Sequence, residues 1–154
     1  MPTQQGPPKK IKPTKTADYL EVLTKAVFQS GISWRVIEAK WPGFREALDN
    51  FDPKKIARLS ERDLDRLATD TRIVRNRKKI EATIDNATEM VALEKEFGSI
   101  GKYLRSHGDF EATVADLRRR FRYLGDTGAY YFLYVVGERV PAHEEWMARH
   151  QTKA

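Results

Sequence analysis

The chain has 154 residues, 40% of them hydrophobic, and its 28 lysines and arginines against 22 aspartates and glutamates give a formal net charge of +6. This length is enough for one hydrophobic core and short for two typical domains, so we expect a single globular domain. Cysteine is absent, which excludes disulfide bonds and catalysis by a thiolate.

The sequence has no run of about 18 apolar residues that could span a bilayer, and its first residues lack the apolar core of a signal peptide. We therefore expect no membrane partner and a cytoplasmic location, or association with the nucleoid if the source is prokaryotic. Three histidines are the remaining soft metal ligands: His107, His143 and His150. Without cysteine they do not predict a zinc site, and no metal or other cofactor is expected.

Residues 1–16 read MPTQQGPPKKIKPTKT and combine proline, glycine and lysine with few apolar side chains. This composition predicts a disordered basic N-terminal arm, ahead of a helical domain over residues 17–150. The alternative is a tail without a role, and composition does not decide between the two. Beyond the arm the chain carries 24 basic and 22 acidic residues, so its net charge alone does not demand a nucleic-acid partner.

From Asp18 onward, apolar residues recur at helical spacing. Ser33 and Ser60 stand at N-cap positions, and Pro42 predicts a break with a new helix after it. The predicted helical segments are DYLEVLTKAVFQ, SWRVIEAKW, PGFREALDNF, DPKKIARL, SERDLDRLATD, residues 75–97, DFEATVADLRRRF, TGAYYFLYVVG and HEEWMARH. No segment alternates as a β-strand does, so we predict an all-α domain of about eight to ten short helices.

The first two predicted helices are separated by QSGISW, residues 29–34. Gly31 can adopt the positive φ of a sharp corner, Ser33 can cap the next helix, and Trp34 then lies in its first turn. If the corner points outward, Ile32 is an apolar wedge for a base stack and Trp34 is a flat face for a flipped base. If it points inward, both are core residues, the commoner position of these residue types. Periodicity does not choose between the two.

Residues 71–80, TRIVRNRKKI, contain five cations and no acidic residue. Cations at the start of a helix oppose its macrodipole, and a bound anion removes that cost. We therefore predict DNA-phosphate contacts for Arg75, Arg77, Lys78 and Lys79. The alternative is an ordinary solvated basic face.

A second candidate for phosphate binding is FRYLGDTGAYYFLYVVG, residues 121–137. A turn with Gly125 precedes a helix whose first turn carries Thr127 and Gly128. Small residues let backbone N–H groups at a helix N-terminus approach an anion closely, which suits a DNA phosphate. The alternative is an ordinary glycine turn before a buried helix.

Candidate catalytic residues are sparse, and the sequence has no zinc-deaminase, Walker or GxSxG motif. His143 and Glu144 are adjacent, but neighbouring side chains diverge on a helix and make no catalytic pair. A hydrolase with a positioned carboxylate remains open. Its candidates are Glu21, Glu38 and Glu144, and no spacing selects one of them.

Taken together, QSGISW, the segment FDPKKIARLSERDLDRLATDTRIVRNRKKIEATIDNA and FRYLGDTGAYYFLYVVG resemble the 3-methyladenine DNA glycosylase I family, within the helix-hairpin-helix DNA glycosylase superfamily. The resemblance covers about residues 18–143. It implies one helical domain of that type, which binds double-stranded DNA, flips an alkylated adenine and hydrolyses its N-glycosidic bond. We expect the protein to act as a monomer.

The resemblance also implies roles for single residues. Trp34 falls at the family's base-stacking tryptophan, and Gln29 falls at a glutamine of the same loop. Gly31 and Ile32 fall at the plug and wedge that fill the gap left by the flipped base. Gly125, with the amides that follow it, falls at the phosphate-binding hairpin.

The chain departs from the family pattern in several places. Ala26 stands where the family has the lesion-reading glutamate of the base pocket. The family's N-terminal block and zinc-binding cysteines have no counterpart, and His143 is the one candidate remnant of that metal site. The superfamily's catalytic aspartate falls near Pro141 and its lyase lysine near Thr127, so no lyase activity is expected.

Two functions follow from this pattern. One is a monofunctional glycosylase of the 3-methyladenine class, with Glu38 or Glu21 in place of the missing carboxylate, because a cationic base needs less acid catalysis to leave. The other is a non-catalytic relative that binds damaged DNA and has lost base excision, which Ala26 favours. A helical protein-interaction domain is a third alternative.

Overall fold

The computed structural model describes residues 8–151, with side chains up to residue 149, so His150 lies outside the described side chains. The described chain contains nine α-helices and no strand, which confirms the predicted all-α class and helix number. The helices are α1 Thr16–Gln29, α2 Trp34–Ala47, α3 Pro53–Ala57, α4 Glu61–Leu67, α5 Arg77–Phe97, α6 Ile100–Leu104, α7 Phe110–Arg120, α8 Asp126–Val135 and α9 His143–Gln151. A 3₁₀ turn, Asp49–Phe51, separates α2 from α3.

The longest helix, α5, organises the domain. It begins two residues later than predicted because the Asn76 side chain caps it, accepting a hydrogen bond from the Lys79 backbone N–H. Gly98, with a φ of 90°, ends it. The helix contacts α1, α3, α4 and α6, while α1 also packs against α8 and α2. The C-terminal part of α1, which leads into QSGISW, therefore belongs to the same packed unit as α5 and α8.

An aromatic cluster joins α2 to its neighbours. The Trp41 ring stacks on Phe44 and Phe51, with ring centroids 4.6 and 5.3 Å away. Phe28 of α1 meets Phe44 edge-on at 4.9 Å. All four side chains are buried. Because aromatic pairs add to the free energy gained by burial, this cluster stabilises the packing of α2 on α1 and on the 3₁₀ turn.

The predicted break at Pro42 is wrong, because α2 runs through Pro42 without interruption. A proline inside a helix costs about 3 kcal/mol. The residues on the inner face beside it, Trp41 and Phe44, are fully buried, and burying side chains of this size gains about 1.5–3 kcal/mol each. Packing of the inner face therefore outweighs the missing backbone hydrogen bond.

The short helix α6 was not predicted, because Gly98 and Gly101 were interpreted as residues that end the preceding helix. Ser99 caps α6 by accepting from the Lys102 backbone N–H at 3.1 Å. Gly101 is buried inside it, and a side chain there would lie 3.3 Å from the Tyr19 hydroxyl. Gly101 thus serves close packing on α1, not termination.

Residues 1–7 of the predicted basic arm lie outside the described residues. Residues 8–15 form no helix or strand, but two of them contact α8. The Ile11 N–H donates to the carbonyl of Val135 at 2.8 Å, and the Lys10 ammonium lies 4.8 Å from the centre of the Tyr134 ring. Val135 is the last residue of α8, where carbonyls lack a partner within the helix. That unpaired acceptor gives this part of the arm a backbone contact that composition does not reveal.

Gly43→Ala is expected to lower the free energy of unfolding by about 1–3 kcal/mol, because no room exists for a methyl group. An added Cβ would lie 2.3 Å from the carbonyl oxygen of Arg72, in the loop that leads to α5. Urea unfolding measures the change. Pro42→Ala at the neighbouring exposed position restores a backbone donor and should leave stability equal or higher. A fully stable Gly43→Ala variant would contradict the contact between α2 and this loop.

Candidate functional site

The corner, residues 29–33, joins α1 to α2 and has the predicted turn chemistry. Gly31 has a φ of 79°, a conformation that L side chains rarely adopt. The Ile32 N–H donates to the Gln29 carbonyl at 3.2 Å. Ser33 caps α2 by accepting from the Arg35 N–H at 3.2 Å, and Trp34 opens the helix. The corner therefore has one defined backbone path.

The structure decides the direction that the sequence left open for Trp34. Its side chain is 44% exposed, although most tryptophans are buried. Val36 is exposed to the same degree, so the first turn of α2 presents two apolar side chains to solvent. Ile32 is half-buried and packs against the edge of the core. Trp34 is therefore accessible from solvent, and the neighbouring Ile32 is anchored on the core.

Lys79, one of the residues predicted to contact phosphate, is bonded within the protein and is not accessible at the surface. It lies in the first turn of α5 and is only 8% exposed. Its Nζ donates to the carbonyl of Ser30 at 2.5 Å. Burial lowers the pKa of this ammonium. The side chain is thus directed into the corner and away from solvent, which its position in a run of cations did not indicate.

The other cations of residues 71–80 divide between two roles. Arg77 forms ion pairs with Asp65 at 2.8 Å and Glu61 at 3.6 Å, so the protein already supplies its anions. Arg75 and Lys78 are exposed, and their side chains have no hydrogen bond or ion pair to any residue that the structure describes. Arg75 and Lys78 are therefore the members of the predicted set that are available to a phosphate.

The turn between α7 and α8, residues 121–125, is fixed by a polar side chain from α5. The Oδ1 of Asn86 accepts from the Arg122 N–H at 2.8 Å, and its Nδ2 donates to the Arg122 carbonyl at 3.3 Å. Asn86 is buried. The next residue, Tyr123, has a φ of 60° and is 45% exposed. Asn86 was missed as a site residue, although a polar residue in the apolar stripe of α5 was the available signal.

Gly125 lies at the N-cap of α8, and it and Thr127 are exposed. The backbone N–H groups of the first helical turn have no partner within the helix. Gly128 has an additional role, because a side chain there would lie 3.0 Å from Leu124 and 3.7 Å from the Cβ of Ala26. Its missing side chain lets α8 approach α1.

Ala26 does not line an open pocket. It is 4% exposed and lies in the contact between α1 and α8, opposite Gly128. Ala26 therefore has a packing position between α1 and α8, and its place in the base pocket stays a prediction. A small residue fits there because the two helices lie close together.

Of the three candidate carboxylates, Glu144 lies in α9, and the other two, Glu21 and Glu38, differ in their surroundings. Glu21 accepts from the Trp41 indole N–H at 2.8 Å and from Arg45 Nε at 2.7 Å, so it holds α2 on α1. Glu38 pairs with Lys25 at 2.7 Å and is 46% exposed. It follows Trp34 by one helical turn and shares its face of α2. Glu38 is thus the more accessible carboxylate, and it lies beside the exposed ring.

Tyr131 of α8 lies close to the candidate residues Gln29 and Glu38 and was not among the residues predicted from the sequence. Burial raises the pKa of its hydroxyl to about 12, with the carboxylates of Glu38 and Glu21 adding to the shift and a hydrogen bond with Gln29 opposing it. Tyr131 therefore stays protonated and lies near Gln29 and Glu38. No motif pointed to it, since it stands in an apolar helix.

The described residues give no support for a metal site. His107 Nε2 lies 2.9 Å from Asp116 Oδ2, and His143 packs near the rings of Tyr130 and Tyr134. Within residues 8–149 no group of three or more histidines, cysteines, aspartates and glutamates is arranged to hold a metal ion. In the same part of the chain no helix is long and apolar enough to cross a membrane.

A groove of about 1140 Å³ lies away from the corner and contains none of the predicted site residues. Its walls come from the end of α8, the segment after it and the region between α6 and α7. The groove does reach Pro141, near which the resemblance places the superfamily's catalytic aspartate. Its walls carry opposite charges, Arg105 and Glu138, that pair with each other at 3.0 Å.

The sequence profile of the family described as methyladenine glycosylase matches residues 12–120. The chain belongs to the methyladenine glycosylase family. The profile match ends before the turn between α7 and α8, so Gly125 and Thr127 lie beyond it. The corner and α5 lie within it.

Curated relatives and solved structures agree with this membership. The DNA-3-methyladenine glycosylase of Haemophilus influenzae is 31% identical over 130 residues, covering 71% of this chain and 70% of its own. The DNA-3-methyladenine glycosylase 1 of Escherichia coli is 25% identical over 148 residues, covering 82% and 79%. The structure of 3-methyladenine DNA glycosylase I from Staphylococcus aureus, solved to explain 3-methyladenine recognition, has a TM-score of 0.73 at 27% identity and covers 84% and 80%. These similarities confirm the helical glycosylase fold.

Asn86→Ala in this methyladenine glycosylase family member is expected to weaken duplex binding and to lower the free energy of unfolding by about 1–3 kcal/mol, because the Arg122 N–H and carbonyl lose their partners. Fluorescence anisotropy with a DNA duplex and thermal unfolding measure the two effects. Asp85→Asn is the matched control, since it removes only the exposed ion pair of the Arg122 side chain and should change stability by under about 1 kcal/mol. Equal behaviour of the two variants would contradict the role of Asn86.

Proposed function

We propose that the protein is a monofunctional DNA glycosylase, which flips an alkylated adenine from duplex DNA and hydrolyses its N-glycosidic bond. The observation that carries this proposal is the exposed Trp34 ring, presented by a corner whose backbone is fixed by Gly31 and Ser33. Family membership supports it. We also propose that the protein acts as a monomer on DNA in the cytoplasm.

Base flipping needs a replacement for the stacking that the duplex loses. Unstacking costs a few kcal/mol, and stacking a base on an aromatic side chain returns about 1–3 kcal/mol. Trp34 supplies the aromatic face. Gly31 and Ile32 fill the gap that the flipped nucleotide leaves in the duplex. Ile32 packs against the protein core, so the returning nucleotide does not easily displace it.

The charge of the substrate favours this site. Adenine methylated at N3 in DNA is cationic, and an indole face attracts cations. The C1′–N9 bond breaks, its electron pair leaves with the base, and the base departs neutral while positive charge develops on the sugar. Water then adds to C1′ and gives its proton to a carboxylate. Glu38 is the residue we assign to this carboxylate, because it is accessible and shares the helix face of Trp34.

Phosphate contacts come from exposed groups only. We assign them to Arg75 and Lys78, and to the backbone N–H groups that follow Gly125, including those of Thr127 and Gly128. Removing one phosphate-contacting cation reduces the salt slope of binding by about 1. Thr127 has no amine, so the hairpin position of a lyase lysine cannot form an imine with the sugar.

The non-catalytic alternative depends on Ala26 alone. The relatives are named as DNA-3-methyladenine glycosylases, which supports the enzyme over a relative without activity. Ala26 is also buried between α1 and α8, so a carboxylate for the reaction has to come from another element. Release of a methylated base decides between the two functions.

Trp34→Ala is expected to reduce release of 3-methyladenine from methylated duplex DNA about tenfold or more, the factor that loss of one stacking contact gives. Chromatography of the released bases measures it. Val36→Ala is the matched control, because Val36 is equally exposed in the same helical turn. Equal release by wild type and Trp34→Ala would remove the stacking role from Trp34.

Glu38→Gln is expected to lower the single-turnover excision rate about 100-fold, with little change in duplex affinity, because proton transfer to a positioned carboxylate contributes rate of this order. Glu46→Gln, at an exposed position of the same helix, is the control and should retain the wild-type rate. An unchanged rate in Glu38→Gln would show that another group receives the proton of the attacking water.

A further inference from the structure

A buried lysine connects α5 to the corner. Lys79 lies in the first turn of α5, and its ammonium donates to the Ser30 carbonyl, 49 residues earlier in the chain. Ser30 is the C-cap of α1 and stands directly before Gly31. The hydrogen bond therefore reaches the residue from which the corner starts.

The end of α1 needs a cation that α1 does not have. Carbonyls at a helix C-terminus lack partners and carry partial negative charge, which a nearby lysine or arginine stabilises. The last turn of α1 contains no basic residue. Lys79 supplies this charge from a different helix.

For α5 alone, a lysine at this position is unfavourable. A cation in the first turn opposes the helix macrodipole, and removing an ammonium from water costs free energy. Burial lowers the pKa of Lys79, and among the described residues the ammonium bonds to the Ser30 carbonyl and forms no ion pair with a carboxylate. An apolar side chain would avoid both costs. The benefit of a lysine here is therefore the hydrogen bond from its ammonium to the Ser30 carbonyl.

We propose that Lys79 is the positioning residue of the base-flipping corner. By binding the Ser30 carbonyl it keeps Gly31 and Ile32 in place when the neighbouring base pairs press back into the gap. It also keeps the Trp34 ring at the position where the flipped base stacks. This inference rests on the proposed glycosylase function.

The placement of Asn86 supports this role. Asn86 follows Lys79 by seven residues and lies on the same face of α5, about 10 Å along the helix axis. One residue holds the corner, and the other holds the turn before α8. A rigid helix thus sets the distance between the two elements that contact DNA.

The test compares Lys79→Met with Lys78→Met, which removes the same charge from the neighbouring exposed position. The first measurement is amide hydrogen exchange of residues 29–37 in the free protein. The second is excision of 3-methyladenine under single-turnover conditions, as a function of DNA concentration. Circular dichroism checks that each variant is folded.

Lys79→Met should raise exchange at the corner about tenfold or more, the factor expected when a hydrogen bond from a charged donor is lost. Its excision rate at saturating DNA should fall by a similar factor. Lys78→Met should leave corner exchange at the wild-type level and raise the DNA concentration needed for half-maximal rate. Lys79→Arg, which keeps the charge and a donor, should lie between wild type and Lys79→Met in both measurements.

Unchanged exchange at the corner in Lys79→Met overturns the proposal, and so does raised exchange with a wild-type rate at saturating DNA. If Lys79→Met does not fold, Lys79→Gln and Lys79→Arg carry the same comparison. If wild type itself releases no base, the proposed function fails, and the exchange result alone then decides whether Lys79 holds the corner.

Discussion

The hydrogen bond from Lys79 to Ser30 is the constraint on which the candidate site depends. It joins the N-terminal turn of α5 to the C-terminal end of α1, two places where the helices have opposite partial charges. Together with the pair of hydrogen bonds between Asn86 and Arg122, it attaches both surface turns to the buried face of one helix, α5. Burial increases the contribution of these hydrogen bonds to stability, because a buried polar group that loses its partner costs more free energy than an exposed one.

The charged side chains of this protein fall into two groups, those paired within the protein and those free to bind a ligand. Arg77 and Arg72 are held by carboxylates of the protein itself, whereas Arg75 and Lys78 face solvent. A cluster of cations in the sequence is therefore a weaker sign of phosphate binding than each member's partners. The carboxylates divide in the same way, with Glu21 fixing Trp41 and Glu38 beside the exposed Trp34.

Turn conformations and helix caps could be predicted from the sequence, and hydrogen bonds between residues far apart in the chain could not. Gly31 and Ser33 were predicted correctly because their conformations depend on adjacent residues. Lys79 and Asn86 were not, since their partners lie 49 and 36 residues away. The predicted helix break at Pro42 was wrong for a related reason. Tertiary packing of the inner face of α2 overrides the tendency of proline to end a helix.

The most direct test of the account is a crystal structure of the protein bound to a duplex with a flipped abasic-site analogue. The account predicts Ile32 in the gap of the duplex, Trp34 facing the extruded nucleotide, and Lys79 still bonded to the Ser30 carbonyl. DNA bound on another surface, with Trp34 exposed to solvent, would contradict it.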